Sequence, residues 1–158
     1  MRKFLFLIAV VAPLFWSCNK AEIEEEDLIG SYWRLASNYI WYRENGKPIT
    51  MDTADGTLPA TLSSTTWYFK SDDEIVVYTA ETSAYYKTYS CDIDLDKEVM
   101  VLTGYGERLV YYIRRINHRE LIVERITQIN DDPNGIAGER FGRYTPLEGA
   151  FDNYTPYE

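Results

Sequence analysis

The stretch that decides the fold lies in the middle of the chain, where residues 85–115 read YYKTYSCDIDLDKEVMVLTGYGERLVYYIRR. Three runs rich in Tyr, Val, Ile and Thr are separated by two polar turns, Asp96-Lys97 and Gly104-Tyr105-Gly106. Such runs are typical of β-strands, and turns this short join antiparallel neighbours. The first run alternates apolar and polar residues, which predicts one buried and one exposed face. Its apolar positions are Tyr89, Cys91, Ile93 and Leu95.

The same pattern extends from this stretch in both directions along the chain. Strands are predicted at residues 31–42, 66–70, 74–79, 85–94, 98–103, 108–115, 120–128 and 139–144. Sequential antiparallel strands form an up-and-down meander, and eight of them can close into a barrel without an exposed edge. A short helix is predicted at residues 22–29. The sequence therefore predicts an all-β fold, an antiparallel up-and-down meander closing into an approximately eight-stranded barrel.

Three segments outside these strands have no sustained periodicity. Residues 44–64 contain two Gly and two Pro residues and are predicted to be a long loop between the first two strands. Residues 130–135 read NDDPNG, which is typical of a turn. Residues 146–158 are expected to form an extended tail that packs in part through its tyrosines.

The N-terminus resembles the signal peptide of a bacterial lipoprotein. Two basic residues precede an apolar run at residues 4–16, which is followed by Ser17 and Cys18. The apolar run is too short to span a bilayer and is typical of an export signal. The resemblance implies cleavage after residue 17 and lipid attachment at Cys18. The alternative is an ordinary export signal in which this cysteine occurs by coincidence.

An acidic segment, NKAEIEEED, follows at residues 19–27. It is either a solvated tether or a localisation signal. The second interpretation rests on its resemblance to the signal by which some Gram-negative bacteria send lipoproteins to the cell surface. The expected location is the outer membrane, with the chain anchored by lipid and exposed at the surface; the periplasmic face is the alternative. The predicted organisation is a signal peptide at 1–17, the lipidated cysteine and acidic tether at 18–27, the barrel at 28–145 and the tail at 146–158.

Charge excludes one class of partner. The chain of 158 residues has a formal net charge of −9, and removal of residues 1–17 leaves 14 basic against 25 acidic residues, which gives −11. Nucleic acid binding needs clustered positive charge, so no nucleic acid partner is expected. Contact with the membrane is expected through the acyl anchor alone.

Catalytic and metal-binding residues are scarce. After lipidation Cys91 is the remaining thiol, and His118, the single histidine, lies in a predicted turn. A Cys–His pair is therefore not expected, and the chain is not predicted to be an enzyme. Asp92, Asp94 and Asp96 alternate as in the opening of a calcium loop, but the Gly and Glu that complete such a loop are missing. No metal and no cofactor are predicted.

The segment LIGSYWRL at residues 28–35, followed by the meander, resembles the lipocalin-like lipoproteins of Gram-negative bacteria. Lipocalins place one residue between a Gly and a Trp at the start of the first strand, whereas two residues separate Gly30 from Trp33 here. The resemblance implies a lipocalin-like barrel that binds a small apolar or amphiphilic ligand. The positions expected to line its interior are Trp67, Phe69, Tyr89, Ile93, Tyr111 and Ile113.

Three further hypotheses remain open. The barrel holds no ligand if bulky side chains fill it, in which case the long loop and Tyr-rich tail would contact a surface partner or a glycan. An acidic ligand would need a positive charge, for which Arg108, Arg114 and Arg115 are candidates. Asp52-Thr53-Ala54 resembles an acceptor sequence for O-glycosylation of exported proteins.

Overall fold

A computed structural model describes residues 23–52, 65–80 and 83–158, with the backbone alone described for Asp52. The predicted signal peptide, the lipid attachment site Cys18, and Thr53 and Ala54 of the predicted glycosylation sequence lie outside the described residues. No helix in the described ranges is long and apolar enough to cross a membrane.

The described residues form one short 3-10 turn and ten strands. The turn is Glu25–Asp27, which is shorter than the helix predicted at 22–29. The strands are β1 (Tyr32–Glu44), β2 (Lys47–Asp52), β3 (Thr66–Phe69), β4 (Glu74–Ala80), β5 (Ala84–Asp94), β6 (Val99–Gly104), β7 (Glu107–Ile116), β8 (Glu120–Ile129), β9 (Asp132–Tyr144) and β10 (Thr155–Pro156).

Eight of the strands close into an antiparallel barrel in the order β1, β3, β4, β5, β6, β7, β8 and β9, and β9 pairs with β1 to complete the circle. Consecutive barrel strands are neighbours except where β2 interrupts the order, which makes the fold an up-and-down meander. Strand β2 pairs with β1 outside this circle, and β10 lies parallel to β5. The predicted all-β barrel of about eight strands is confirmed.

The predicted loop at residues 44–64 is wrong in its first part, because β2 forms a hairpin with β1. Asn45 and Gly46 make the turn with φ values of 51° and 75°. This backbone conformation is the one that an Asn-Gly hairpin turn adopts most readily. Alternation is missing from β2 because most of its described side chains are exposed, so no buried face selects apolar residues.

The last barrel strand also begins earlier than predicted. The sequence predicts a strand from Glu139, whereas β9 begins at Asp132 and pairs with both β8 and β1. The NDDPNG segment contains the turn and an irregularity in the β8–β9 pairing rather than a long loop. Gly135 and Gly138 lower the strand propensity of this segment. Large neighbours compensate, because the side chain of Ile129 covers Gly135 and the ring of Tyr39 covers Gly138.

The two ends of the barrel differ. The tether end is the end at which β1 begins, and there Ile23, Leu28 and Trp33 are all buried. The far end is the opposite end, where β4 ends and β7 begins. At the tether end the indole nitrogen of Trp33 donates a hydrogen bond of 2.7 Å to Ser31 Oγ. Trp33 therefore lies in the core at one end of the barrel even though an extra residue separates it from Gly30.

The C-terminal tail packs on the outside of the barrel. The ring of Phe151 stacks on Tyr78 at 4.0 Å and on Tyr32 at 5.7 Å between ring centres. Beyond it, Tyr154 contacts Tyr78, and Tyr157 contacts Tyr85. The tail is thus held through its tyrosines, as the sequence predicts, and through a phenylalanine in addition. It is not extended throughout, because residues 148–153 form turns before β10.

Candidate functional site

The structure brings the six predicted ligand-binding residues together in the hydrophobic core. Five of them are buried, and Ile93 is half-buried and packs against the others. The buried five are Trp67, Phe69, Tyr89, Tyr111 and Ile113. They lie on three strands, β3, β5 and β7, and all five belong to the hydrophobic core. Contact of these residues with a ligand stays a prediction.

The half of the interior nearer the tether end is occupied by the protein's own side chains. The ring of Trp67 lies 4.4 Å from that of Phe141 and 5.3 Å from that of Tyr111, centre to centre. Around these rings four aliphatic side chains are at most 1% exposed: Ile75, Met100, Leu121 and Val123. Close packing of this kind is that of an ordinary protein core.

In the other half of the interior, the inner-face side chains are less completely buried. The inner faces of β7, β8 and β9 continue toward the far end, and side chains two residues beyond buried core positions are half-buried rather than sealed. They are Leu109 beyond Tyr111, Arg125 beyond Val123, and Glu139 beyond Phe141. The side chains on these inner faces are therefore less completely buried toward the far end than in the packed half.

Three polar side chains meet in this half, and we call Tyr111, Arg125, Glu139 and the adjacent Leu109 the lumen site. The guanidinium carbon of Arg125 lies 5.8 Å from the centre of the Tyr111 ring. One carboxylate oxygen of Glu139, Oε2, is buried and has no hydrogen-bond partner in the part of the chain that the structure describes. Arg125 forms no ion pair or hydrogen bond with another residue that the structure describes.

Burial controls the ionisation of the lumen site. It raises the pKa of Glu139, and the positive charge of Arg125 partly offsets that rise. Burial also raises the pKa of the Tyr111 hydroxyl, with a further contribution from the negative charge of Glu139. Tyr111 therefore keeps its proton at neutral pH and can act as a hydrogen-bond donor.

A second polar group lies beside the lumen site, where β5 faces the start of β7. The hydroxyl of Tyr89 donates a hydrogen bond of 2.7 Å to Glu107 Oε1, and Lys87 Nζ lies 3.9 Å from the same oxygen. Tyr105 lies in the turn between β6 and β7. Its hydroxyl oxygen accepts a hydrogen bond from the backbone N–H of Thr88 on β5. Lys87 and Glu107 thus compensate each other, whereas Arg125 and Glu139 have no ion pair within the described ranges.

The arginines proposed from the sequence for an acidic ligand do not reach the interior. Arg114 pairs with Glu124 and Arg115 pairs with Glu120, both as exposed side chains, and Arg108 is exposed. Sequence reasoning missed Arg125. The signal was present, because the alternation of Leu121 and Val123 places position 125 on the same inner face.

A concavity of about 600 Å³ lies near the tether end, and two of the six predicted ligand-binding residues, Phe69 and Ile93, line it. Leu28, Phe69, Cys91 and Ile93 contribute apolar atoms to it, and carboxylates such as Glu26 lie at its edge. Burial raises the pKa of the Cys91 thiol to about 12, so this cysteine is protonated at neutral pH and is a poor nucleophile.

Within the described ranges no cluster of three or more His, Cys, Asp or Glu side chains is arranged to hold a metal ion. His118 is exposed in the turn between β7 and β8. Comparison of the chain with protein-family models and with curated proteins finds no match.

Proposed function

We propose that this protein is a lipid-anchored outer-membrane binding protein that holds a small apolar or amphiphilic molecule in the far half of its barrel. One observation carries the proposal: Glu139 Oε2 is buried beside Arg125 in the far half of the barrel, with no hydrogen-bond partner among the described residues. A buried polar atom without a partner costs about 1–3 kcal/mol. A ligand that supplies the missing contact would offset that cost.

The walls of this part of the barrel suit a molecule with both apolar and polar parts. Leu109, Leu35 and Val77 are half-buried and pack against the core, so they offer apolar surface. Tyr111, Arg125 and Glu139 offer polar groups on the same inner surface. An eight-stranded barrel is wide enough to hold one small ligand when its interior is not filled completely.

The membrane part of the proposal rests on the sequence. The apolar run followed by Ser17-Cys18 supports lipid attachment at Cys18, and the acidic segment at 19–27 supports surface exposure. A ligand taken up at the far end would then enter at the end of the barrel opposite the anchor. The periplasmic face remains the alternative location.

The packed half of the interior favours a second candidate function. Trp67, Phe141 and Tyr111 fill the barrel centre nearer the tether end, as expected for a solid scaffold. In that case the protein is a surface interaction or glycan-binding protein, and the tyrosine-rich exterior contacts its partner. The two candidates differ in whether the far half of the barrel takes up a small molecule.

A substitution that fills the lumen distinguishes the two candidate functions. Ala137 is paired with Arg125 on the inner face of β9, whereas its neighbour Ile136 faces outward beside the exposed Ile126. The soluble chain starting at Asn19, stripped of carried lipid by organic extraction, is titrated with the apolar fluorophore 1-aminoanthracene. Ala137→Phe should weaken binding by about tenfold or more because it fills the lumen, and Ile136→Phe should leave it unchanged.

Circular dichroism confirms that each variant is folded before titration. Saturable binding that is lost only in Ala137→Phe supports the binding barrel. Absence of saturable binding to the wild-type chain, or equal loss in both variants, contradicts it and favours the solid scaffold.

A further inference from the structure

The concavity near the tether end lies between the short turn before β1 and the ends of β3 and β5. Two hydrogen bonds attach this turn to the barrel. The backbone N–H of Gly30 donates to the carbonyl oxygen of Phe69 at 2.7 Å, and the backbone N–H of Leu95 donates to Glu25 Oε1 at 3.4 Å. The walls of the concavity are therefore connected to each other at β3 and just beyond β5.

The floor of the concavity is apolar. Phe69 and Cys91 belong to the hydrophobic core, and Ile93 packs against it. The Cys91 thiol is 5% exposed and makes no hydrogen bond within the described ranges. A polarisable sulfur beside an aromatic ring suits an apolar ligand body, above all an aromatic one. The volume of about 600 Å³ is in the range of small-molecule sites.

The rim of the concavity is acidic. Its three exposed carboxylates are those of Glu25, Glu26 and Asp72, and no basic residue is among the described residues that line the concavity. Two lysines that are close in sequence to lining residues are engaged elsewhere. Lys70 pairs with Glu74, and Lys97 pairs with Asp94. None of the rim carboxylates forms an ion pair in the described part of the chain.

An acidic rim above an apolar floor selects the sign of a ligand's charge. Carboxylates accept hydrogen bonds from an ammonium group, which has three N–H donors, and they repel an anion. The net charge of −9 acts in the same direction at longer range. A positive charge on an apolar body therefore matches the rim and the floor at once.

We propose that the concavity at the tether end is a binding site for small amines with an aromatic body. The ring of the amine lies against Phe69 and Cys91, and its ammonium group lies at Glu26 and Asp72. This site is separate from the far half of the barrel, so the inference does not rest on the proposed function. It also gives a role to Ile93, which lies far from the lumen site.

Three dansyl compounds of one chain length test the proposal. Dansylcadaverine is cationic, its N-acetyl derivative is neutral and dansyl-6-aminohexanoate is anionic, and dansyl emission rises in apolar surroundings. Each is titrated into the extracted soluble chain that carries Ala137→Phe, so that the far half is filled. Dansylcadaverine should bind about fivefold more tightly than the neutral compound and more than tenfold more tightly than the anion, as expected for two exposed ion pairs.

Rim variants made in the same background locate the charge contact. Glu26→Gln with Asp72→Asn should weaken dansylcadaverine about fivefold and leave the neutral compound unchanged. Glu26→Lys with Asp72→Lys should reverse the preference, so that the anion binds more tightly than the amine. The matched control is Glu44→Gln with Asp131→Asn, which removes two exposed charges at the far end and should change each affinity by less than twofold. Circular dichroism confirms that each variant is folded.

The outcomes separate this inference from the proposed function, which the 1-aminoanthracene titration of the wild-type chain tests. A preference for the amine that is lost in the neutralised rim variant and kept in the control supports the site, whether or not 1-aminoanthracene binds. Equal affinity for the three dansyl compounds, absence of saturable dansylcadaverine binding, or equal effects of the rim and control variants would overturn it.

Discussion

The guanidinium carbon of Arg125 lies 5.8 Å from the centre of the Tyr111 ring on the inner surface of the barrel. Tyr111 also contacts Trp67, so the same ring separates the packed half of the interior from the polar half. A charged side chain in this position costs desolvation energy that an apolar residue would avoid. The lumen site therefore reduces stability, and in the proposed function a bound ligand would restore it.

Glu139 makes stability depend on pH. Burial raises its pKa above the ordinary 4.5, so its contribution to folding is complete below pH 4.5 and is lost as the pH rises through the folded-state pKa. Glu139→Gln removes this loss. We expect its free energy of unfolding, relative to wild type, to be higher by about 1 kcal/mol at pH 7 and by less at pH 4.

Urea unfolding of the extracted soluble chain at the two pH values measures this difference. Glu148→Gln is the matched control, because that glutamate is exposed in the tail. An equal stabilisation of Glu139→Gln at pH 4 and pH 7 would contradict the assignment.

Tyr39 and Gly138 form a contact that leaves no room for a side chain. A Cβ atom at Gly138 would lie 2.0 Å from Cζ of Tyr39, whose hydroxyl donates a hydrogen bond of 2.6 Å to Glu124 Oε1. Gly138→Ala must displace the ring and break this bond, which should lower the free energy of unfolding by about 1–2 kcal/mol.

Gly142→Ala on the same strand is the control, because nothing lies within 4 Å of a Cβ there. It should leave stability unchanged or raise it by about 0.5 kcal/mol. Equal destabilisation of the two variants in urea melts would show that the Tyr39 contact does not set the cost.

Phe151 holds the tail to the barrel. Its ring stacks between Tyr78 and Tyr32, so Phe151→Ala removes two aromatic contacts and part of the cover over the outer face of β1 and β4. The expected loss is about 1–3 kcal/mol. Leu147→Ala, at a tail residue that is 82% exposed, should change stability by less than about 0.5 kcal/mol. Thermal melts that shift equally for both would refute tail packing through Phe151.

Cys91 should resist thiol reagents in the native protein. It is 5% exposed, and burial raises its pKa to about 12, so very little thiolate exists at pH 8. In the soluble chain starting at Asn19, which lacks Cys18, labelling by dithionitrobenzoate should become rapid only in denaturant. Fast labelling of the folded chain would show that the thiol is accessible.

Cys18 carries the lipid in the proposed account. Cys18→Ser in the full chain, expressed in a Gram-negative host, should abolish incorporation of labelled palmitate and release the protein from the membrane fraction. Cys91→Ala controls for the second thiol and should keep the label. Palmitate retained in Cys18→Ser would disprove attachment at this residue. Protease treatment of intact cells that express the wild-type chain distinguishes the surface from the periplasmic face.

The barrel could be predicted from the sequence because a strand with one buried face shows an alternation of apolar and polar residues. The alternation of Tyr89, Cys91 and Ile93 is recognisable without knowledge of the neighbouring strands, and the structure confirms it. Strand β2 and the start of β9 could not be predicted in this way. Pairing partners shape both segments: β2 forms along the edge of β1, and the glycines of β9 lie under Ile129 and Tyr39.

The lumen site was only partly predictable. The resemblance to lipocalins implies interior positions for aromatic residues such as Trp67 and Tyr111, and both are buried in the structure. The depth at which the packed core ends depends on how side chains from all eight strands fill the barrel, which no single strand encodes. Arg125 and Glu139 are unusual because they lie on the inner face beyond the end of the packed core. On an outer face the same residues would be ordinary surface charges.

The most direct test of the account is native mass spectrometry of the gently purified soluble chain starting at Asn19, before and after organic extraction, beside Ala137→Phe. The account predicts a reproducible added mass on the wild-type chain that disappears on extraction and is absent from the variant. A bare protein mass for the wild-type chain, with no shift on exposure to lipid and small-metabolite mixtures, would contradict the claim that the far half of this barrel binds a small molecule.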